Sequence, residues 1–303
     1  MSLRIYNISK GVYEEEKVCA EGLMRFLYGG PAGRAALWLL VARGIFSKAC
    51  GLWADSEASR RAVKKFVEEN GIDTGEMLKA PGEFRTFNEF FTRALKPGAR
   101  PVGDAHDPLA VSFPSDGRHL LVRGASEARS FYAKGQEFNL AALLGDAKLA
   151  GRFDGGDMLI SRLSPADYHR FHYPVSGEIV ARREVRGALY SVSPIALVKR
   201  LSILWENRRV LNIIETDSMG ICAFVEIGAT NVGTIVNFDA VSARAERGAE
   251  AGLFRFGGSC VVSVFERRAG IDWNARLAER GAENTECYAR AGEVAGRAKA
   301  SRG

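Results

Sequence analysis

At 303 residues, with 47% apolar and 26% charged side chains, the chain can bury a full core and is neither a disordered segment nor a disulfide-stapled mini-protein. Its 42 Lys and Arg against 36 Asp and Glu leave a formal charge of +6, which favours anionic surroundings. Nucleic acid is one such partner, although no zinc-finger, RNP or helix-turn-helix pattern is present, and an anionic bilayer surface suits the charge equally well.

Five cysteines (Cys19, Cys50, Cys222, Cys260, Cys287) are scattered and never form a CxxC pair, so they read as reduced thiols of a cytoplasmic-side protein. The opening Met1 to Tyr6 lacks the apolar core of a signal peptide, and no run of about twenty apolar residues spans a membrane.

The first hundred residues read as helical. Tyr13 to Leu27 is amphipathic and stops at Tyr28-Gly29-Gly30-Pro31. Gly33 to Trp53 carries Leu37, Trp38, Leu39, Leu40, Ile45, Leu52 and Trp53 among Arg34, Arg43 and Lys48, a pattern that fits plain core or a helix lying among lipid headgroups. Asp55-Ser56 caps a helix with Ala62, Val63, Phe66 and Val67 on one face, ended by Asn70-Gly71. Thr86-Phe87-Asn88-Glu89 is a capping box, and Lys96-Pro97-Gly98 stops the short helix it opens.

From about residue 100 the texture turns to short β-like runs, among them His119 to Val122, Met158 to Leu163, Gly177 to Val185, Ala223 to Ile227 and Gly233 to Phe238. Phe113-Pro114-Ser115-Asp116-Gly117 and Tyr173-Pro174-Val175-Ser176-Gly177 echo each other sixty positions apart; a duplicated β-unit would give this, and so would chance. Helices first and strands after predict an α+β fold, with a helical region over 1–100 and a largely antiparallel β core over 101–303.

Gly257-Gly258-Ser259-Cys260 describes a bend opening into a strand with a hydroxyl at its first position. It is an ordinary turn, or a peptide bond that its own serine attacks. Two of the four histidines, His169 and His172, lie three apart before a turn. No further Cys or His cluster supplies zinc ligands, which leaves capping or general acid–base chemistry. Asp116 sits in a tight turn, where aspartate serves the turn or orients a histidine.

In sum, Tyr6-Asn7, Phe87-Asn88-Glu89-Phe90-Phe91-Thr92-Arg93, Lys96-Pro97-Gly98-Ala99-Arg100-Pro101, Pro114-Ser115-Asp116-Gly117, Ser164-Pro165 through Tyr168-His169-Arg170-Phe171-His172, Val225-Glu226-Ile227-Gly228-Ala229-Thr230-Asn231 and Phe256-Gly257-Gly258-Ser259 occur in an order that resembles bacterial phosphatidylserine decarboxylases over nearly the whole chain.

The resemblance implies self-cleavage between Gly258 and Ser259, with His172 as the base oriented by Asp116. It implies a β chain of residues 1–258, an α chain of 259–303, and a covalent pyruvoyl cofactor made from Ser259. His169 would hold the substrate carboxylate or supply a proton. The substrate would be phosphatidylserine, met at an anionic membrane surface on which the N-terminal helices dock peripherally from the cytoplasmic side. Cys260 departs from the threonine or serine usual in that family. Rival readings are a pyruvoyl decarboxylase of a soluble amino acid, a Ser-His-Asp hydrolase, for which no G-x-S-x-G elbow is present, and a non-catalytic lipid-binding relative.

Overall fold

A computed structural model of the chain describes residues 4–16, 18, 20–37, 45–125, 132, 136–229, 235–257 and 259–299. It opens on strands where a helix was expected: β1 (Arg4–Asn7) and β2 (Val12–Glu15) pair antiparallel. Tyr6 and Tyr13 face each other across the pair with ring centroids 5.2 Å apart, a cross-strand contact that helical geometry would break. The helix predicted over 13–27 is confined to α1 (Glu21–Gly29). The one predicted over 33–53 is present as α2 (Pro31–Ala36) and α3 (Ile45–Asp55), and its middle, 38–44, lies outside the described residues.

Next come α4 (Arg61–Asn70), ended by Gly71 at φ 60°, and α5 (Phe87–Phe91). Thr86 caps α5 by accepting from the Glu89 amide at 3.1 Å, while the Glu89 carboxylate accepts from the amide of Arg85, one residue earlier than a reciprocal box requires. Phe66, Phe84, Phe87, Phe90 and Phe91 pack into a separate small core, edge to face between Phe66 and Phe87 and between Phe84 and Phe90.

The rest of the chain runs β3 (Ala110–Ser112), β4 (Gly117–Val122), α6 (Leu140–Leu144), α7 (Ala147–Arg152), β5 (Asp157–Leu163), β6 (Arg170–His172), β7 (Gly177–Val185), α8 (Pro194–Lys199), α9 (Ile203–Glu206), β8 (Arg209–Thr216) and β9 (Gly220–Gly228). It ends with β10 (Ile235–Asn237), β11 (Arg244–Ala245), β12 (Glu250–Phe254), β13 (Ser259–Phe265), β14 (Asp272–Trp273), α10 (Ala275–Ala282), β15 (Cys287–Ala289) and β16 (Val294–Arg297).

A ten-stranded sheet in the order β11-β7-β8-β9-β13-β5-β4-β15-β1-β2 forms the spine, antiparallel except where β1 meets β15. Two three-stranded sheets, β10-β12-β6 and β14-β16-β3, cover one face. There Phe113, Phe171, Phe254 and Trp273 pack with Leu159, Phe224 and Val261. The other face, with Ile160, Val225 and Val262, is covered by α6, α8 and α9 through Leu143, Leu144, Leu197 and Leu204. The architecture is α+β with a mostly antiparallel core. Strand β13, between β9 and β5, is buried at all seven positions, which explains its near-continuous apolar sequence.

The two echoing turns contact each other. The Ser112 amide donates to the Pro174 carbonyl at 2.9 Å, and the His172 amide to the Pro114 carbonyl at 2.7 Å. Glycine ends each turn because a Cβ at Gly117 or Gly177 would lie 2.3 Å from the carbonyl of Arg162 or Glu215 on the neighbouring strand.

Candidate active site

Gly257 has φ 144°, a conformation that glycine alone adopts readily, and two residues later Ser259 begins β13. Gly258, the acyl side of the predicted scissile bond, lies outside the described residues. Ser259 is fully buried between Leu163 of β5 and Gly228 of β9. Among the described residues its Oγ has no hydrogen-bond partner.

His169 and His172 serve different neighbourhoods although only two residues separate them. His169 is fully buried, stacks on Phe91 at 3.8 Å between centroids, and has Nδ1 3.0 Å from the Asp167 carbonyl. Burial pulls its pKa down to about 3; the Asp167 and Gly257 backbones oppose the shift, so this ring lies against the turn that leads into Ser259. His172 lies at the other end of β6, where its amide bond to Pro114 draws it to the turn that carries Asp116. Its Nδ1 is 2.8 Å from the Gly248 carbonyl, an acceptor that requires N–H there and leaves the lone pair on Nε2. Burial lowers its pKa, while the Gly248 carbonyl, Glu250 and Asp116 pull it up and Arg100 pulls it down.

Asp116 is gripped by Arg100. Nε donates to Oδ1 at 2.8 Å, Nη2 to Oδ2 at 2.5 Å, and the Ala291 amide adds a third bond to Oδ1 at 2.9 Å. The fold thus brings Asp116 and His172 into one neighbourhood, and places His169, whose carbonyl accepts from the Phe254 amide at 2.9 Å, near the segment that leads into Ser259. Among the described residues no hydrogen bond joins Asp116 to His172 or His172 to Ser259.

A buried charge network beneath the site was not read from the sequence. Arg162 donates to Glu286 at 2.6 Å and to Glu16 at 2.9 Å, Arg118 pairs with Glu16 at 3.2 Å and with Asp167, and Asp167 accepts from the Ser164 amide at 2.6 Å. Burial pushes the Asp167 carboxyl up to about 6 against the pull of Arg118. Arg93 adds bonds of 3.2 Å to the Ala166 and Asp167 carbonyls. Together these hold residues 164–169, and with them His169. The available signal was charge at core positions of alternating strands, as in Ile160-Ser161-Arg162-Leu163.

A cavity of about 400 Å³ reaches Gly257. Its walls are apolar, from Leu23 and Met24 of α1, Trp53 of α3, Phe66, Phe87 and Phe256, with Arg162 and Ser164 as polar members. Leu23 and Trp53 are also 49% and 46% exposed, so the cavity's rim continues into an apolar surface with Phe26 and Leu52.

Comparison with known proteins shows the family. The family model for phosphatidylserine decarboxylase matches residues 87–297. A phosphatidylserine decarboxylase proenzyme of Ruminiclostridium cellulolyticum is 41% identical over 265 residues, 88% of either chain. Those of Fusobacterium nucleatum and Chlamydia muridarum are 40% identical over 257 residues, 85% of either chain, and 37% identical over 291 residues, 96% of either chain. The glycine-serine bend, the paired histidines and the matches along the chain together establish that this protein belongs to the phosphatidylserine decarboxylase family.

Proposed function

We propose that the chain is a proenzyme that cleaves itself before Ser259 and then converts phosphatidylserine to phosphatidylethanolamine. Ser259 carries the reading. Its buried hydroxyl has no partner among the described residues and stands two residues after the bend at Gly257, so its oxygen is uncommitted and available for attack.

In this reading His172 takes the Oγ proton as Oγ bonds to the Gly258 carbonyl carbon. The C–N bond breaks and the Ser259 nitrogen receives the proton, leaving an ester. Loss of the Ser259 Cα proton then expels the Gly258 carboxylate by breaking the Cβ–Oγ bond. The resulting dehydroalanine takes up water and releases ammonia, and a pyruvoyl group remains. Burial keeps both imidazoles neutral near pH 7, the form a base requires. Asp116 favours the imidazolium through space.

The pyruvoyl carbonyl supplies an electron sink for the carbanion left as carbon dioxide departs. A substrate carboxylate bound beside His169 would raise its pKa and favour a proton on Nε2, so His169 is assigned to hold that carboxylate and to supply the proton that replaces it. The α chain, 259–303, stays with the β chain, 1–258, because β13 is bonded along both edges to β5 and β9.

The apolar rim formed by Leu23, Phe26, Leu52 and Trp53 supports peripheral docking on an anionic bilayer, with the acyl chains left in the lipid. Among the described residues no helix is long and apolar enough to cross a membrane. Leu39 and Leu40, the residues first marked for this role, lie outside the described residues. The docking helices fall within residues 1–100 and the catalytic strands within 101–303, although β1 and β2 are lent to the large sheet.

The β core also reads as a duplicated unit. Strands β4, β5, β13 and β15 occupy the same relative places as β7, β8, β9 and β11, in mirrored sheet order, and β3 matches β6. The crossed bonds between the echoing turns are what this symmetry requires. Only the first turn carries an aspartate, since Ser176 stands in place of Asp116.

Intact-mass measurement tests the proposal. Two fragments divided before Ser259, the smaller with an N-terminal pyruvoyl, are expected, and Ser259→Ala stays whole. One undivided mass after long incubation of folded wild-type protein would sink it. Faster carbon dioxide release from free serine than from phosphatidylserine vesicles would move the substrate to a soluble amino acid.

A further inference from the structure

We infer that Arg100 is a positioning residue for self-cleavage, holding the Asp116 carboxylate where it acts on His172 through space without hydrogen-bonding to it. This rests on the reading of His172 as the base.

The bond pattern divides the work usually given to one aspartate. In a hydrogen-bonded triad the carboxylate selects the histidine tautomer. Here the Gly248 carbonyl does so, by accepting from Nδ1–H at 2.8 Å. Asp116 is committed elsewhere: both oxygens are taken by the Arg100 fork, and Oδ1 also by the Ala291 amide. The pair is deeply buried, with side-chain exposures of 9% and 4%.

Arg100 is itself fixed. Its Nη1 donates to Glu76 at 2.9 Å and to the Ala99 carbonyl at 2.6 Å, and Glu76 is held by Arg290 at 2.8 Å. A planar, permanently charged fork with both ends tied defines the carboxylate's position more tightly than a flexible ammonium would. The fixed carboxylate then stabilises the imidazolium as Nε2 takes the proton.

Other charged and titratable groups surround the two residues. Arg93, Asp167, Tyr168, Tyr288, Glu293 and His119 feel the field of Asp116. Glu250, across from His172 on β12 and bonded to Tyr168 and Arg170, adds a second negative charge near the imidazole. None of these residues is replaced along with Arg100, so the variants alter only the fork and its charge.

The experiment times cleavage of the full chain made by cell-free translation and chased across about pH 5.5 to 9, with intact and divided masses counted, a range that brackets imidazole titration. Arg100→Lys keeps the charge and loses the fork, so cleavage should slow by about tenfold to a hundredfold, and the loosened carboxylate, stabilising the imidazolium less, should move the rising limb of the pH profile to lower pH. Arg100→Met also removes a cation that disfavours the imidazolium, so its limb should lie at higher pH than that of Arg100→Lys.

An Arg100→Lys chain that cleaves at the wild-type rate overturns the inference, even where the Met variant does not fold. A folded Met variant whose limb coincides with that of Arg100→Lys overturns it too. His172→Ala separates the two levels: cleavage at the wild-type rate removes the base assignment, whereas an inert His172→Ala beside a fast Arg100→Lys removes only the role of Arg100.

Discussion

Ser259 and Cys260 are neighbours on one strand and belong to opposite faces of the sheet. Cys260 joins the apolar layer under the helices with Val262 and Ile227, and burial pushes its thiol up to about 12, so it is an inert packing group. Replacing it with the threonine usual in the family should change the self-cleavage rate by less than about threefold, under ~1 kcal/mol in barrier. A larger change in a time course of fragment masses would show that the thiol reaches the scissile turn. At this scale Asp116, His169, His172 and Ser259 could be singled out as candidates, the histidines because the chain has only four and all of them because they lie at or beside turns. Their partners were not. The Gly248 carbonyl and the Ala291 amide lie 76 and 175 positions from the groups they bind, and a backbone donor or acceptor leaves no mark in side-chain identity.

Among the elements, α1 and α3 present the apolar rim of the cavity to solvent. Leu23 is 49% and Leu52 is 75% exposed, so replacing both with aspartate should leave the fold intact. Each exposed leucine that enters lipid contributes about 1.5–3 kcal/mol. The double variant should therefore lose at least about tenfold in binding to phosphatidylserine-containing vesicles in a sedimentation assay. Unchanged binding by the folded double variant would assign docking to another surface. Strands β4, β5, β7 and β9 were readable from alternation and glycine punctuation. The N-terminal hairpin was not, because 12–15 has no strand signal strong enough to oppose the apolar spacing that continues into α1. Its strand state comes from outside: β1 pairs with β15, and Arg280 of α10 lies over both Tyr6 and Tyr13 at 5.2 and 5.6 Å.

Over the whole molecule, the buried ionisable groups set how stability depends on pH. Glu226 is fully buried on β9, accepts from Asn212 at 2.6 Å, and burial pushes its carboxyl up to about 8 from 4.5. Between those values the folded state holds a proton that the unfolded state has released, so this group costs stability as pH rises. His119 and His169, held near 3, have the opposite slope below about 6.5, so the effect of Glu226 is cleanest above that pH. Glu226→Gln keeps an acceptor for Asn212 and removes the ionisation. Its melting temperature relative to wild type should rise steadily from about pH 6.5 to 8. A constant difference in scanning fluorimetry would mean that Glu226 is ionised in the fold.

By itself the sequence determined the α+β class and the antiparallel strand texture after about residue 100, and it offered the candidate residues for the chemistry, since periodicity, turn residues and side-chain type are local properties. Only the tertiary structure decided which of these residues meet. The crossed bonds between two turns sixty positions apart set His172 beside Asp116, the Arg100 fork holds Asp116 off the imidazole, and β5 and β9 close around Ser259 until its hydroxyl has no partner among the described residues. Those contacts depend on strand order and register, which long-range packing fixes and no short stretch of sequence encodes.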